Sequence, residues 1–131
     1  MPTQVQFIRA SDFLIATPKG QLDLERSEKL LTSLALASAS LIAHEVLLDM
    51  RGAQVALSAT DLWKLAAALS RLHTTFPGRV AVLCLPNRAG RAEFFALCAQ
   101  NRGFPIGAFT SFEGAVEWLS ADAPRFREDI D

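Results

Sequence analysis

The pattern of apolar and polar positions predicts short strands that alternate with amphipathic helices along most of the chain. Residues 5–8 and 13–17 have the spacing of strands, and residues 9–12 between them are short and polar enough for a turn. The sequence at 18–20, Pro-Lys-Gly, is typical of a strand break. The chain is therefore expected to begin with a β-hairpin.

After the hairpin, the pattern switches between buried apolar runs and apolar stripes at helical spacing. Strands are predicted at 45–50, 79–85 and 106–109, and helices at 24–40, 62–72, around 94–98 and at 112–119. The predicted order is β-β-α-β-α-β-α-β-α. Strands that alternate with helices indicate an α/β fold with a mostly parallel sheet and right-handed crossovers.

Several residues mark the ends of these elements. Asp23 is a predicted helix N-cap, and Ser58 and Thr110 each open a capping-box pattern. Gly103 is the predicted C-cap of the third helix, because glycine adopts the left-handed conformation that ends helices. Asp49, at the end of a buried strand, is interpreted as a carboxylate that caps the following loop.

Length and composition restrict the class of protein. The 131 residues are half hydrophobic, which suits one domain over residues 1–120 with a polar tail over 121–131. The net charge is −1, from 13 basic and 14 acidic residues, so no basic footprint for nucleic acid or an anionic membrane is present. The most apolar window, 31–50, carries too many polar groups for a transmembrane segment, and residues 1–4 do not begin a secretory signal. We expect a cytoplasmic protein.

The residue types that usually carry catalysis or metal binding are scattered. Cys84 and Cys98 lie inside apolar runs and are expected to be reduced, buried thiols. His44 and His73 have no second ligand at metal-site spacing. No nucleophile, base and orienting group can be assembled from the spacing, so we expect no catalytic residues, no metal and no cofactor.

Three stretches carry a resemblance to a known family. Residues 46–50 (VLLDM) and 57–62 (LSATDL) look like the strand, loop and helix start of the STAS domain. Residues 108–119 (AFTSFEGAVEWL) look like the closing segment of its SpoIIAA-like branch of small stand-alone proteins. The resemblance covers about residues 7–119. It implies a non-enzymatic regulatory or protein-interaction module, as in the bacterial anti-sigma factor antagonists and the cytoplasmic tails of sulfate transporters.

Ser58 lies where the phosphorylated antagonists of that family carry their phosphoacceptor serine. Those proteins place an acidic residue before this serine, then a serine or threonine and a glycine, whereas this chain has Leu57, Ala59 and Thr60 around Ser58. Two interpretations stay open for Ser58. It is either a helix N-cap, which stabilises by about 1 kcal/mol, or a phosphoacceptor with Thr60 as the weaker candidate.

Trp63 falls off the main apolar stripe of the second predicted helix, beside Ala67 and Ser70. It is either a flanking residue that packs on the sheet edge or an exposed aromatic anchor for a partner protein. The resemblance makes the leading hypothesis a module that uses this helix surface to bind an unknown protein partner or a second copy of itself, with phosphorylation as a partner switch.

Arg88 and Arg91 lie between a strand end and the start of the third predicted helix, where two cations oppose the helix dipole. Open α/β sheets bind ligands at such strand ends. The two arginines either extend into solvent from a loop or form an anion site. The alternative hypothesis is therefore a small-molecule or lipid-binding module with an anion site near Arg88 and Arg91.

Overall fold

The structure is a computed structural model that describes residues 4–10, 13–41, 45–72 and 78–120. Its strands are β1 (Gln4–Ala10), β2 (Phe13–Leu22), β3 (Glu45–Asp49), β4 (Ala53–Val55), β5 (Val80–Leu83) and β6 (Ile106–Phe109). Its helices are α1 (Leu24–Leu41), α2 (Ala59–Arg71), α3 (Ala89–Gln100) and α4 (Phe112–Ser120), and a 3-10 turn, Pro86–Arg88, precedes α3. His44, His73 and the tail 121–131 lie outside the described residues.

The strands form one mostly parallel sheet that begins with the predicted hairpin. Its strand order is β1-β2-β3-β5-β6, and the short strand β4 pairs with β2 beside this path. β1 runs antiparallel to β2, while β2, β3, β5 and β6 pair in parallel with their neighbours. The α/β class and the N-terminal hairpin are confirmed, and β4 is an addition to the predicted element order.

The two faces of the sheet bury different sets of side chains because successive residues of a strand point in opposite directions. On β3, Val46 and Leu48 pack with α1, α2 and α3, whereas Leu47 packs with α4. β5 divides in the same way, with Val82 on the three-helix face and Ala81 on the α4 face. Burial on both sides explains why these strands are continuous apolar runs.

The predicted break of the second strand at 18–20 is wrong, because β2 continues to Leu22. Its first part pairs with β3 through residues 13–16, and its last part pairs with β4 through residues 20–22. Pro18 lies between these two segments, where the parallel pairing of β2 with β3 has ended and the pairing with β4 has not begun. A proline, which has no N–H to donate, is tolerated at such a position. Gly20 has a φ of 93°, which glycine adopts without strain, and the strand continues through it.

The helix ends follow the predicted chemistry with one exception. The Asp23 carboxylate accepts from the Arg26 amide at 2.9 Å, and Gly103 adopts a φ of 88° after α3. At α4 the cap is Ser111, whose hydroxyl accepts from the Gly114 amide at 2.9 Å, and not the predicted Thr110. The hydroxyl that caps is therefore the one directly before the helix, one residue later than predicted.

None of the helices within the described ranges combines the length and the apolar character needed to cross a bilayer. The longest, α1, runs for 18 residues and has charged side chains in its first two turns.

Candidate functional site

The first part of the candidate site is the loop that follows β3. The Asp49 carboxylate accepts two hydrogen bonds at 3.0 Å from the Arg51 guanidinium and one at 3.1 Å from the Arg51 amide. Burial acts to raise the pKa of Asp49, but the hydrogen bonds and charge of Arg51 outweigh it, so the pKa lies below its ordinary value of 3.8. The geometry confirms that Asp49 caps this loop.

We expect Asp49→Asn to lower the free energy of unfolding by about 1 kcal/mol near neutral pH, because charge-assisted bonds are replaced by weaker ones. Arg51 is 44% exposed, so solvent screens the pair and a larger loss is not expected. A carboxyl group with a depressed pKa stabilises the fold above its unfolded pKa and loses this contribution as the pH falls. Urea unfolding measures the free energy of unfolding of Asp49→Asn and of the wild type at pH 7 and below pH 3.8. The difference between the two proteins should be smaller in acid. Glu25→Gln, which removes a well exposed helix pair, is the control.

Ser58 forms the second part of the site, at the start of α2. Its hydroxyl accepts from the Asp61 amide at 3.1 Å, and the Asp61 carboxylate accepts from the Ser58 amide at 3.0 Å. This reciprocal pair is the predicted capping box. Ser58 and Thr60 are both exposed, so the cap leaves both hydroxyl groups at the surface.

The two arginines before and within α3 reach across to the segment between β3 and α2. Arg88 donates from Nη1 to the Ala53 carbonyl at 2.6 Å, and Arg91 donates from Nη1 to the Leu57 carbonyl. Arg88 is half-buried and Arg91 is exposed, and the described part of the chain contains no salt bridge to either guanidinium. The Arg91 guanidinium consequently lies beside the segment that carries Ser58.

A groove with a volume of about 540 Å³ opens between α1, α2 and α3 at the carboxyl ends of β3 and β5. Most of its lining is aliphatic, while Ser27, Asn87, Arg88 and Arg91 supply the polar groups. This position, outside the carboxyl ends of parallel strands, is where open α/β sheets bind ligands. The sequence placed the arginines at such an edge, but it did not indicate that α1 closes the opposite wall.

Cys84 also lines the groove, directly after β5. The thiol is buried and donates weakly to the Phe109 carbonyl at 3.6 Å. Burial and the charge of Glu93 raise the pKa of Cys84, and the charge of Arg88 offsets this only in part. Both cysteines are free thiols, and a buried thiol with a raised pKa is mostly protonated and therefore weakly nucleophilic near neutral pH.

Trp63 is exposed on α2, with 52% of its surface accessible. The Arg102 guanidinium lies over the indole ring, 4.9 Å from the ring centroid. Along the same stripe Ala67 and Ser70 are half-buried, and the Ser70 hydroxyl donates to the Ala67 carbonyl at 2.9 Å. Of the two interpretations of Trp63, the structure supports the exposed aromatic side chain. Trp118 instead packs against Phe109, with ring centroids 5.4 Å apart.

Sequence comparisons do not assign the chain to a family, because no family model and no curated protein sequence matches it. Solved structures do match. An uncharacterized DUF3478-family protein from Shewanella loihica with a SpoIIAA-like fold has a TM-score of 0.56 and 21% identity, over 89% of this chain and 93% of that one. The chain has the SpoIIAA-like fold. The fold expected from the resemblance to the STAS domain is thereby confirmed.

Two further similar structures are regulators with the same fold. An anti-sigma factor antagonist from Mycobacterium paratuberculosis has a TM-score of 0.59 and 15% identity, over 89% of this chain and 93% of that one. The phosphorylated form of the Bacillus cell fate determinant SpoIIAA has a TM-score of 0.53 and 14% identity, over 88% of this chain and 99% of that one. At these identities the likeness concerns the fold, which this chain shares over nearly the whole length of each protein.

Proposed function

We propose that this protein is a non-enzymatic, cytoplasmic regulatory module that binds a protein partner or a second copy of itself. The contact surface is the α2 surface, defined as Ser58, Thr60, Trp63, Ala67 and Ser70. The observation that carries the proposal is Trp63, a large aromatic side chain that is 52% exposed on a fold used by anti-sigma factor antagonists. Those antagonists act on another protein, as their name states.

Trp63 has the properties of an interface anchor. Tryptophan is enriched among the residues that dominate binding energies, because it buries a large apolar area. Arg102 over the indole ring holds the side chain in place before any partner arrives. A side chain that is already ordered loses less conformational entropy on binding, so the surface is prepared for contact.

Trp63→Ala is expected to weaken the partner complex or the homodimer by about thirtyfold, which corresponds to roughly 2 kcal/mol for an aromatic anchor. Sedimentation of the purified protein measures self-association, and affinity capture followed by a binding titration measures a partner. Leu36→Ala is the matched control, since Leu36 is 64% exposed but lies on α1. If Trp63→Ala and Leu36→Ala both bind as tightly as the unmodified protein, α2 is not the contact surface.

We also propose that phosphorylation at the start of α2 switches this contact. A phosphate on Ser58 would replace the capping hydroxyl and add about two negative charges at a helix N-terminus. Arg91 donates to the carbonyl of Leu57, the residue before Ser58, and so places a cation near the phosphate. The carboxylate of Asp61 would repel the new charge. A protein of the same fold, SpoIIAA, has a structure in the phosphorylated form, which supports testing this chain for phosphorylation.

A phosphosite map of the protein isolated from its own cells tests the switch. We expect phosphate on Ser58, or on Thr60 as the weaker acceptor. Ser111, an exposed serine that caps α4 in the same way, is the internal control, because it should remain unmodified. A chain without phosphate on Ser58 or Thr60 would leave Ser58 as a helix cap and make the proposed contact constitutive.

The groove favours a second candidate function, a small-molecule or lipid-binding module with an anion site near Arg88 and Arg91. Its volume of about 540 Å³ lies within the range of roughly 300–1,000 Å³ that small-molecule sites occupy. A thermal-shift screen against nucleotides, acyl compounds and phospholipids tests this candidate. A stabilising compound whose effect is lost in Arg91→Ala supports it, and the absence of any such compound argues against it.

A further inference from the structure

The groove between α1, α2 and α3 combines four polar side chains with a mostly apolar lining. Ser27 is in the first turn of α1, and Asn87, Arg88 and Arg91 lie at the start of α3. Since both helices begin at the carboxyl edge of the sheet, these groups share one end of the groove. We infer that the groove binds a single-chain fatty acid, with its carboxylate at this end and its alkyl chain between the helices. The inference rests on the second candidate function and specifies its ligand.

The polar end is built for one negative charge. Two arginines line it, and none of the described residues in the lining is Asp or Glu. Each guanidinium donates one N–H to a backbone carbonyl, and a guanidinium carries five. The remaining donors of Arg88 and Arg91 have no acidic partner within the described ranges, so a carboxylate can accept from them without displacing a salt bridge.

Ser27 adds an independent polar contact on the opposite wall. It is the buried polar residue of the described core, with 6% of its surface exposed, and it faces the groove. Its hydroxyl has no hydrogen-bond partner among the residues that the structure describes. A buried hydroxyl without a partner is costly, and a ligand oxygen at the polar end would supply the missing bond.

The apolar part of the groove suits an alkyl chain better than a ring system. Its walls are mainly leucines, two valines and a methionine, including Leu30 and Leu31 of α1 and Leu62 and Leu65 of α2, and Phe95 is the aromatic residue of the described lining. Flat ligands such as nucleobases are held by stacking on aromatic faces and by hydrogen bonds to their edges. Here a flexible apolar chain gains contact along aliphatic walls, while one charged head group meets the arginines.

Cys84 provides a direct readout of groove occupancy, because its thiol lines the groove. In a Cys98→Ala background, a saturating concentration of dodecanoate, kept below micelle formation, is expected to slow maleimide labelling of Cys84 at about pH 8.5 by at least tenfold. In the converse Cys84→Ala background, labelling of Cys98 should not change, because Cys98 is outside the groove lining. Protection of both thiols alike would indicate global stabilisation and would overturn the assignment to the groove.

A comparison of anionic, neutral and cationic head groups distinguishes a carboxylate site from nonspecific apolar binding. Dodecanoate should bind at least tenfold more tightly than dodecyltrimethylammonium, with dodecanol between them. From octanoate to dodecanoate, each added methylene should tighten binding about fourfold until the groove is filled. Vesicles of phosphatidylglycerol should not protect Cys84, because the inferred ligand is a free fatty acid and not a membrane surface. Equal binding of the cationic and anionic amphiphiles, or protection by vesicles alone, overturns the inference.

Variants test the two parts of the groove separately. Arg88→Gln and Arg91→Gln should each weaken dodecanoate about tenfold and leave dodecanol unchanged, while Arg88→Lys should retain part of the affinity. Ala92→Phe, which fills the groove but keeps both arginines, should weaken both ligands. Arg71→Gln is the matched control, since Arg71 is an exposed arginine at the end of α2. Circular dichroism confirms that each variant is folded before binding is measured.

The possible failures are distinguishable. If dodecanoate does not bind, but a nucleotide or another anion stabilises the protein through Arg91, the fatty-acid assignment is wrong and the second candidate function stands. If no small molecule binds, both fail together, and the proposed contact through Trp63 is unaffected because it is measured at a different surface.

Discussion

Phe104→Ala is expected to lower the free energy of unfolding by about 4 kcal/mol, within the range measured for phenylalanine truncations in protein cores. Phe104 lies between α3 and β6, is 1% exposed and is the largest fully buried side chain of the described residues. Its amide donates to the Ala99 carbonyl at 3.0 Å, which fixes the backbone as the chain leaves α3. Truncation would therefore open a cavity in a region that has little freedom to collapse.

Urea and thermal unfolding measure this loss, which is a large part of the roughly 5–15 kcal/mol that stabilises a typical domain. Phe112→Ala is the matched control, because Phe112 is 40% exposed at the start of α4 and should cost less than about 1 kcal/mol. Phe104→Leu retains most of the apolar volume and should fold even if Phe104→Ala does not. Equal small losses for Phe104→Ala and Phe112→Ala would contradict the packing described here.

Arg79→Ala is expected to cost about 3 kcal/mol, because several contacts of one side chain disappear together. The guanidinium donates from Nε to the Glu45 carboxylate at 3.0 Å and from Nη2 to the Leu119 carbonyl at 3.1 Å. It also lies 5.1 Å from the centroid of the Trp118 ring. Arg79 thus connects the starts of β3 and β5 to the end of α4, and its removal leaves Glu45 without this partner.

Arg26→Ala separates this effect from the loss of a surface ion pair. Arg26 pairs with Asp23 at 3.4 Å, with both side chains more than 40% exposed, so its removal should cost less than about 1 kcal/mol. Arg79→Lys keeps the charge but cannot reproduce the planar set of donors, and an intermediate loss is expected. Unfolding in urea near neutral pH checks all three variants. A loss from Arg79→Ala no greater than from Arg26→Ala would show that the contacts of Arg79 contribute little.

The fold was largely predictable from the sequence because each local pattern agrees with the global structure. The apolar runs of β3 and β5 predict strands that are buried on both faces, and both are buried. The exceptions are at β2 and β4. Pro18 and Gly20 indicate a break when they are judged locally, yet β2 continues because β3 and β4 pair with it on either side of Pro18. β4 has three residues and depends on this long-range pairing.

The site was predictable only where local chemistry determines it. The capping box of Ser58 depends on residues three apart, so the sequence contains the whole motif. The short contact of Arg88 with Ala53, 35 positions earlier, depends on how α3 lies against the loop after β3. The groove wall of α1 is equally nonlocal, since Leu30 and Leu31 have the spacing of ordinary core positions. Spacing along one chain does not distinguish a core position from a groove wall.

Two distinct surfaces of this molecule meet near the start of α2. The α2 surface presents an exposed aromatic residue and the exposed hydroxyl groups of Ser58 and Thr60, and the groove presents two arginines and an aliphatic lining. The segment 53–58 joins them, because its carbonyl groups accept from Arg88 and Arg91 and its last residue caps α2. The groove and the α2 surface therefore share this short segment.

Site-specific photo-crosslinking in the native cells tests the proposed contact most directly. A benzoyl-phenylalanine introduced at Ala67 lies on the α2 surface and keeps Trp63, and the same group at Leu36 on α1 is the control. We expect a covalent adduct with one partner protein, or with a second copy of this chain, at position 67 and not at position 36. An absence of adducts at position 67, or the same adducts at both positions, would contradict the proposal that α2 is the contact surface.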